Sequence, residues 1–565
     1  VAFTISDYII ERLKQQGVDT LFGVPSVYCA SLYFAAENAT NFSAIVTSSD
    51  LEAGYAADGY ARVRGMSVVA VSYGPGTLSL VNAIAGAYIE RSPIVVINGG
   101  PSDKNIRDQT TTGVLYSHSM GRPHTDMEVF QPLTAFCERV TDPAIIPRKV
   151  DQAIRTAITH KHPVYLEIPQ AMLDASCSWP TTPLDLSIPP GTAAKTAGAI
   201  LKAIKAAKAP ILIVGIEVQR YGLAAAMLSI INKLKIRWAT TLLDRTTLSE
   251  QHPQFLGVFN GEKAPQSLKA AISGADLIVS LGAVFGSGHA TIMIPQSKKT
   301  IRVWDGNVFT FDGAPEQLSF PELIAQLDRN AVVAEDKQLL VLAPHSVDEL
   351  GEAAWDGDRD AALPQTRQPR PTATAAASGM SYDALFQVIE QSVTPDPTLT
   401  TIADTFLGIY PSARISMPVQ DSFFASAIWA SIGHSVAAAV GAAAAKRKRP
   451  IVICGDGGFQ MTVQSLSTMA RSNLNAIVVM VDNGLYGYEQ YLLDSTYYSG
   501  TSAPLPISVI GRWDYVGVAR SLGITQLAVV DTAAALSAAI TAAKAQNGPA
   551  LIQAIVQSRS LPSGL

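Results

Sequence analysis

Gly455, Asp456, Gly457 and Gly458 follow the apolar run 450–454 and open a stretch with helical character. Glycines at such a corner let the backbone approach a phosphate, and a helix start offers free N–H donors and positive dipole. Asp456 adds an oxygen ligand suited to a hard divalent cation that bridges phosphates. Asn483 closes the next apolar run, 27 residues after Asp456. A right-handed strand–helix–strand crossover returns the second strand to the sheet edge where the first one ended. Asp456 and Asn483 can then share one metal, with a backbone carbonyl as a further ligand. A lone Gly-Asp-Gly is usually a surface turn with a capping aspartate. The strand–turn–helix–strand order and the second polar residue at a strand end shift the reading toward phosphate and metal.

These residues need a scaffold, and the rest of the chain reads as one. Strand-like runs at 67–73, 93–99, 163–169, 209–215, 275–282, 450–458 and 475–483 alternate with Ala-rich helical stretches. Near-continuous Val/Ile strands separated by helices predict parallel sheets covered on both faces. Proline-dense 178–191 and polar, Pro/Ala/Thr-rich 351–379 read as linkers. The expected fold is α/β, with three doubly wound parallel-sheet domains at 1–180, 190–345 and 375–565. Residues 1–18 read as an amphipathic helix with charges inside it, unlike a signal peptide. A cytoplasmic protein is expected. With 48% hydrophobic and 16% charged residues the 565-residue chain can bury large cores, which argues against disorder. The net charge of −5, without a basic block, recommends neither nucleic acid nor an anionic membrane as partner. No apolar run approaches the roughly 20 residues that a membrane span needs. Cys29, Cys137, Cys177 and Cys454 are scattered, which predicts buried free thiols rather than disulfides or a zinc site.

The segment 450–487 resembles the cofactor motif of thiamine-diphosphate enzymes, which opens on GDG and ends in an Asn at this spacing. The resemblance covers all three domains and is closest to the pyruvate and indolepyruvate decarboxylase branch. GVDTLFGVPS (17–26), DLEAGYAADGYAR (50–62), YGPGTLSLVNAIAGAYIERSPIVVINGGPS (73–102), HPVYLEIP (162–169) and ASIGHSVAAAVGAA (430–443) carry it. It implies thiamine diphosphate and Mg²⁺, held between the first domain of one subunit and the third domain of its partner. A homodimer or a dimer of dimers follows. Asp456, Asn483 and the Leu485 carbonyl match the metal ligands. Gly455, Gly457 and Gly458 match the diphosphate corner, and Gly74 of the YGPG segment joins the cofactor set. Ile432 matches the apolar residue that bends the cofactor, and Ala430 the carbonyl that accepts from its aminopyrimidine. The bend sets the pyrimidine's imino nitrogen against the thiazolium C2–H, whose loss makes a nucleophile for a carbonyl carbon.

The departures bear on which reaction follows. The family's glutamate, nine residues before Gly59, is Asp50 here, shorter by one bond or roughly 1.5 Å. Glu52 is near in sequence but points about 200° away on a helix, so Asp50 is the preferred carboxylate. Val27 stands where the branch has an aspartate, and its His-His pair becomes Ser117-His118. Glu489, six residues after Asn483, matches the branch's glutamate. The resemblance makes Asp50, His118 and Glu489 the catalytic candidates. With Val27 and Ser117 in place of two proton-handling groups, the expectation is a lyase or carboligase that passes an acyl unit from a 2-oxo acid or 2-hydroxy ketone to an acceptor. A plain decarboxylase and a non-catalytic relative are the alternatives. His434 reads as packing, and Tyr486, Tyr488 and Tyr491 as pocket or core. The middle domain lacks GxGxxG at 214–222 and 281–290, so no flavin is expected.

Overall fold

The apolar runs become the central strands of three sheets. The computed structural model describes residues 3–187, 192–310, 316–333 and 379–565. Across the N-terminal sheet the strands lie in the order Ser43–Val46, Thr20–Gly23, Ser67–Ser72, Ile94–Gly100, Val164–Pro169, Cys137–Arg139, all parallel. The C-terminal sheet runs Phe423–Ala425, Leu399–Ala403, Arg449–Gly455, Ile477–Asp482, Ala550–Ile555, Gln526–Val530, also all parallel. Numbered within its own domain, each sheet has the order 2-1-3-4-6-5. Val68 to Val71 and Ile451 to Cys454 are completely buried, as expected of strands covered on both faces.

The middle sheet has the order Phe255–Val258, Arg237–Thr240, Pro210–Val214, Leu277–Leu281, Thr300–Trp304 in parallel. Two short strands, Asn307–Phe309 and Glu316–Gln317, then extend it antiparallel. The sheet is thus mostly parallel, as expected, with an antiparallel edge. Both added strands lie at an edge, where few side chains are covered and the apolar signal is weak.

Helix Ile5–Gln15 starts at Thr4. Thr4 Oγ1 accepts from the Asp7 N–H at 3.2 Å, and Asp7 accepts from the Thr4 N–H at 2.9 Å, a reciprocal cap. Cys29 and Cys454 are buried free thiols, while Cys137 and Cys177 are only half-buried. No described helix is long and apolar enough to cross a membrane. Residues 178–187 of the first predicted linker form no helix or strand. The second predicted linker lies outside the described residues except for Gly379.

The N- and C-terminal domains meet through the helices that follow their second strands, Asp50–Arg64 and His434–Ala444. A Cβ on Gly59 would overlap the Ala438 carbonyl, and a Cβ on Gly441 would overlap the Ala56 carbonyl. Reciprocal glycines thus set the backbone-to-backbone approach. Beside them Asp58 accepts from Arg62 Nε at 2.9 Å and lies 2.6 Å from His434 Nε2, while Arg62 Nη2 reaches Glu90 at 2.5 Å. All four side chains are buried, a burial that only mutual pairing makes tolerable.

Candidate active site

The candidate residues fall into two groups, one on each of the outer domains. In the C-terminal group, Asp456 begins the helix Asp456–Thr462 at the end of strand Arg449–Gly455. Its Oδ1 accepts from the Gly457 N–H at 3.0 Å and its Oδ2 from the Gly484 N–H at 2.8 Å. The carboxylate therefore ties together the ends of two neighbouring parallel strands. Gly457 lies against the Tyr486 ring, and a Cβ on Gly458 would stand 3.0 Å from Asp404 Oδ2. Asn483 Oδ1 accepts from the Leu485 N–H at 3.0 Å, and its Nδ2 donates to Tyr382 Oη at 3.1 Å. Burial, helped by the neighbouring Asp482, pushes the Asp456 carboxyl up to about 7. A buried acid in that condition gains from a cation.

The donor set fits Mg²⁺ carrying a diphosphate. It offers a carboxylate, an amide oxygen and the Leu485 carbonyl, leaving the other positions of an octahedral ion to phosphate oxygens and water. Among the described residues no cluster of three or more His, Cys, Asp or Glu could hold a metal unaided.

The segment 426–433 is held rigidly from several sides. Glu90 Oε1 accepts from the N–H groups of Ile428 and Trp429 at 2.8 and 3.0 Å. Ser431 Oγ pairs with Tyr55 Oη at 2.5 Å. Asp404 accepts from the Gly433 N–H at 3.1 Å and from Ser435 Oγ at 2.8 Å. Between these anchors Ala430 adopts φ +56°, a left-handed conformation that costs an L-residue roughly 1–2 kcal/mol. Ile432 remains 37% exposed although it is flanked by anchored residues. An open apolar side chain on a fixed turn is what a bent aromatic cofactor would rest upon. His434, just beyond, is turned to Asp58.

In the N-terminal group, Asp50 is the first residue of its helix, and Ser49 caps that helix by accepting from the Glu52 N–H at 3.2 Å. Asp50 Oδ1 lies beside Gly76, and burial raises its carboxyl above the usual range. Glu52 turns the other way, toward Thr468 and Arg471 of the C-terminal domain. It accepts there from the Ser48 N–H at 2.9 Å. Gly74 (φ +73°) packs directly on His118, where a Cβ would come within 2.7 Å of the histidine's own. Its N–H donates to buried Asp126 at 2.6 Å. His118, exposed and itself at φ +65°, faces the rings of Tyr73 and Tyr28, with centroids 5.4 and 6.2 Å away. Val27 is 65% exposed, and Ser117 is exposed.

Glu489 sits on the open side of helix Gly487–Leu493. Of the tyrosines around it, Tyr488 takes a hydrogen bond from Tyr410 at 2.8 Å and Tyr491 packs against Tyr498. None of the hydrogen bonds made by Gly74, Asp456, Asn483 or Leu485 links one group to the other. Sequence reasoning missed Glu90, Asp126 and Asp404, the buried acids that fix the two groups. Each is a single acidic residue at the end of a helix or strand, and only long-range contacts reveal its burial.

Comparison with known proteins agrees with this geometry. Residues 3–120 match the N-terminal TPP binding domain of thiamine pyrophosphate enzymes, 197–309 their central domain and 409–554 their C-terminal TPP binding domain. Pyruvate decarboxylase isozyme 1 of Saccharomyces cerevisiae is 29% identical over 92% of this chain and 89% of its own. An alpha-keto-acid decarboxylase of Mycolicibacterium paratuberculosis is 28% identical over 99% of this chain and 95% of its own. A pyruvate decarboxylase of Candida glabrata is 29% identical over 92% and 88%. The chain belongs to the thiamine-diphosphate-dependent enzymes, near their pyruvate decarboxylase branch, and its cofactor is thiamine diphosphate.

Proposed function

We propose that this enzyme removes CO₂ from a 2-oxo acid, or cleaves a 2-hydroxy ketone, and couples the acyl unit to a second carbonyl compound. The observation that carries the reading is the mouth of the N-terminal group. There exposed Val27 and Ser117 replace two proton-handling side chains, and His118 is left among tyrosine rings. Bound thiamine diphosphate supplies an electron sink for decarboxylation and then a nucleophilic acyl carbon. The chain's own residues divide the remaining tasks. Asp456, Asn483 and the Leu485 carbonyl would hold Mg²⁺ with the diphosphate, and Gly457 and Gly458 would let the phosphates approach. Ala430 and Ile432 orient the rings. Asp50 would face the distal pyrimidine nitrogen and supply it a proton, and His118 and Glu489 would move protons at the substrate. Val27 offers no proton where the branch has an acid, which would favour capture by an acceptor over protonation.

The two groups belong to different sites in this reading. The N-terminal group of one subunit closes over the C-terminal group of its partner in a homodimer or dimer of dimers. In this reading the middle domain carries no flavin. At the point where its strand order reverses, the usual nucleotide crevice, Gly215 sits against Gly282 and Ala283. Glu217 is buried there 2.8 Å from Arg91 of the N-terminal domain.

Mass spectrometry of products from pyruvate plus aldehyde and ketone acceptors, with thiamine diphosphate and Mg²⁺ present, tests the proposal. Coupled hydroxy ketones are expected. Free aldehyde alone would favour the second reading, a plain 2-oxo acid decarboxylase, which the names of the relatives support.

A further inference from the structure

Behind His118 lies a set of acid–base groups that the proposed reaction has not used. A small cleft is lined there by Tyr73, Tyr116, His118, His124, Asp126 and Glu167. His124 Nδ1 on its wall is a buried polar atom without a hydrogen-bond partner. So are Asn98 Oδ1 and Arg139 Nη1, whose side chains pair with the cleft's carboxyls. Buried polar atoms are nearly always paired, so three around one cleft that also holds Asp126 and Glu167 give it hydrogen-bonding capacity to spare. Glu167 is almost completely buried in strand Val164–Pro169. Tyr165 Oη donates to its Oε2 at 3.3 Å, and Asn98 Nδ2 donates to Tyr165 Oη at 2.5 Å. Asn98 also reaches Asp126 at 3.5 Å, and Asp126 holds the N–H of Gly74, which rests on His118.

We propose that Glu167 is a proton-storing residue that serves His118 across this cleft. The inference rests on the reading that His118 faces the acceptor. The groups around Glu167 are Arg139 and Cys137 from the neighbouring strand, Tyr165 from its own strand and Asp126 from helix Thr125–Phe130. The loop before that helix adds Tyr116, His118, Arg122 and His124. Arg139 Nε lies 3.2 Å from Oε1 and is shared with Asp103. Burial outweighs Arg139, and the Asp126 charge adds to it, so the carboxyl is pushed up to about 7. Glu167 can therefore both give and take a proton near neutrality. As the new carbon–carbon bond forms, the acceptor's carbonyl oxygen takes a proton by way of His118. The carboxyl proton of Glu167 then passes to the imidazole and leaves a carboxylate. When the product departs, the hydroxyl on the donor carbon gives up its proton, which returns to Glu167 through His118. Glu167 thus gives one proton and regains one in each turnover, while the proton that protonates the donor's carbonyl oxygen, and that loss of CO₂ consumes overall, comes from solvent.

Glu167→Gln keeps the size and the bond from Tyr165 but cannot titrate. Infrared difference spectra of the holoenzyme should show a protonated-carboxyl band that vanishes as pH rises through about 7 and is missing in E167Q. The kcat profile of E167Q should lose its inflection there and fall about ten- to a hundredfold near neutral pH, with KM unchanged. Glu167→Asp should shift the band and restore most of the inflection. A wild-type pH profile retained in E167Q overturns the proposal. If E167Q does not fold, an unshifted band in E167D overturns it. The infrared titration is independent of the product formed. Intact titration without coupled product sinks only the carboligase reading, and coupled product without the titration sinks only this one.

Discussion

The N- and C-terminal sheets have the same strand order, and their second-strand helices grip each other through matching glycines, yet the two domains carry opposite kinds of chemistry. After its third strand the C-terminal domain has Asp456-Gly457-Gly458, and the N-terminal domain has Tyr73-Gly74-Pro75-Gly76. In the first case a buried carboxylate gathers two backbone N–H groups at a corner fit for a metal and phosphates. In the second the acid is remote: Asp126 holds the Gly74 N–H from another helix, and the glycine presses on His118. In the proposed reading one topology thus supplies a binding corner and a proton-handling corner. The choice lies in a few loop residues, and the sheets only bring them to the edge.

Variants in the two halves should therefore fail differently. The largest effect is expected from Asp50→Asn, which should lower turnover by roughly 10²–10⁴-fold while cofactor affinity changes little. Steady-state kinetics beside calorimetric titration would show it, and parallel losses in both would place Asp50 in binding. Asp456→Ala should instead weaken thiamine diphosphate and Mg²⁺ binding by roughly 10–100-fold or more, and chelation of wild-type enzyme should mimic it. Unchanged affinity would remove the phosphate corner from the C-terminal half. Gly441→Ala drives a methyl group into the Ala56 carbonyl and should cost about 1–3 kcal/mol, read from chemical unfolding, with Gly59→Ala similar. A neutral result would mean that the two helices can slide apart without penalty.

The smallest effect concerns the acids behind each corner. Burial raises the Asp404 carboxyl above its unfolded value. The folded chain then holds a proton that the unfolded chain has lost, so this contribution to stability is present at acid pH and fades as pH rises through the folded value. Asp404→Asn should flatten that decline in melting temperature measured across pH. A decline just as steep in the variant would assign it to other groups.

The parts legible in sequence were those with strong, local causes. Doubly buried strands such as Ser67–Ser72 and Ile477–Asp482 must be apolar throughout, and Gly-Asp-Gly-Gly after a strand has few uses. Helical periodicity also separated Asp50 from Glu52, which the structure turns apart. The antiparallel strands at Asn307–Phe309 and Glu316–Gln317 are too short and polar to be told from loop. Nothing about an alanine announces that Ala430 sits at positive φ, because the tethers from Glu90 and Asp404 come from far along the chain. The cleft behind His118 was hidden for the same reason. Glu167 reads as one polar residue in an apolar strand, and its partners lie on other elements.

The account depends most on the two groups of one chain serving two different sites. Mixing Asp50→Asn chains with Asp456→Ala chains under conditions that allow subunit exchange tests this directly. Each variant alone should be nearly inactive. The mixture should regain about a quarter of wild-type turnover, since random pairing leaves about one site in four with both groups intact. A mixture that exchanges subunits but stays as inactive as its components would contradict the shared site.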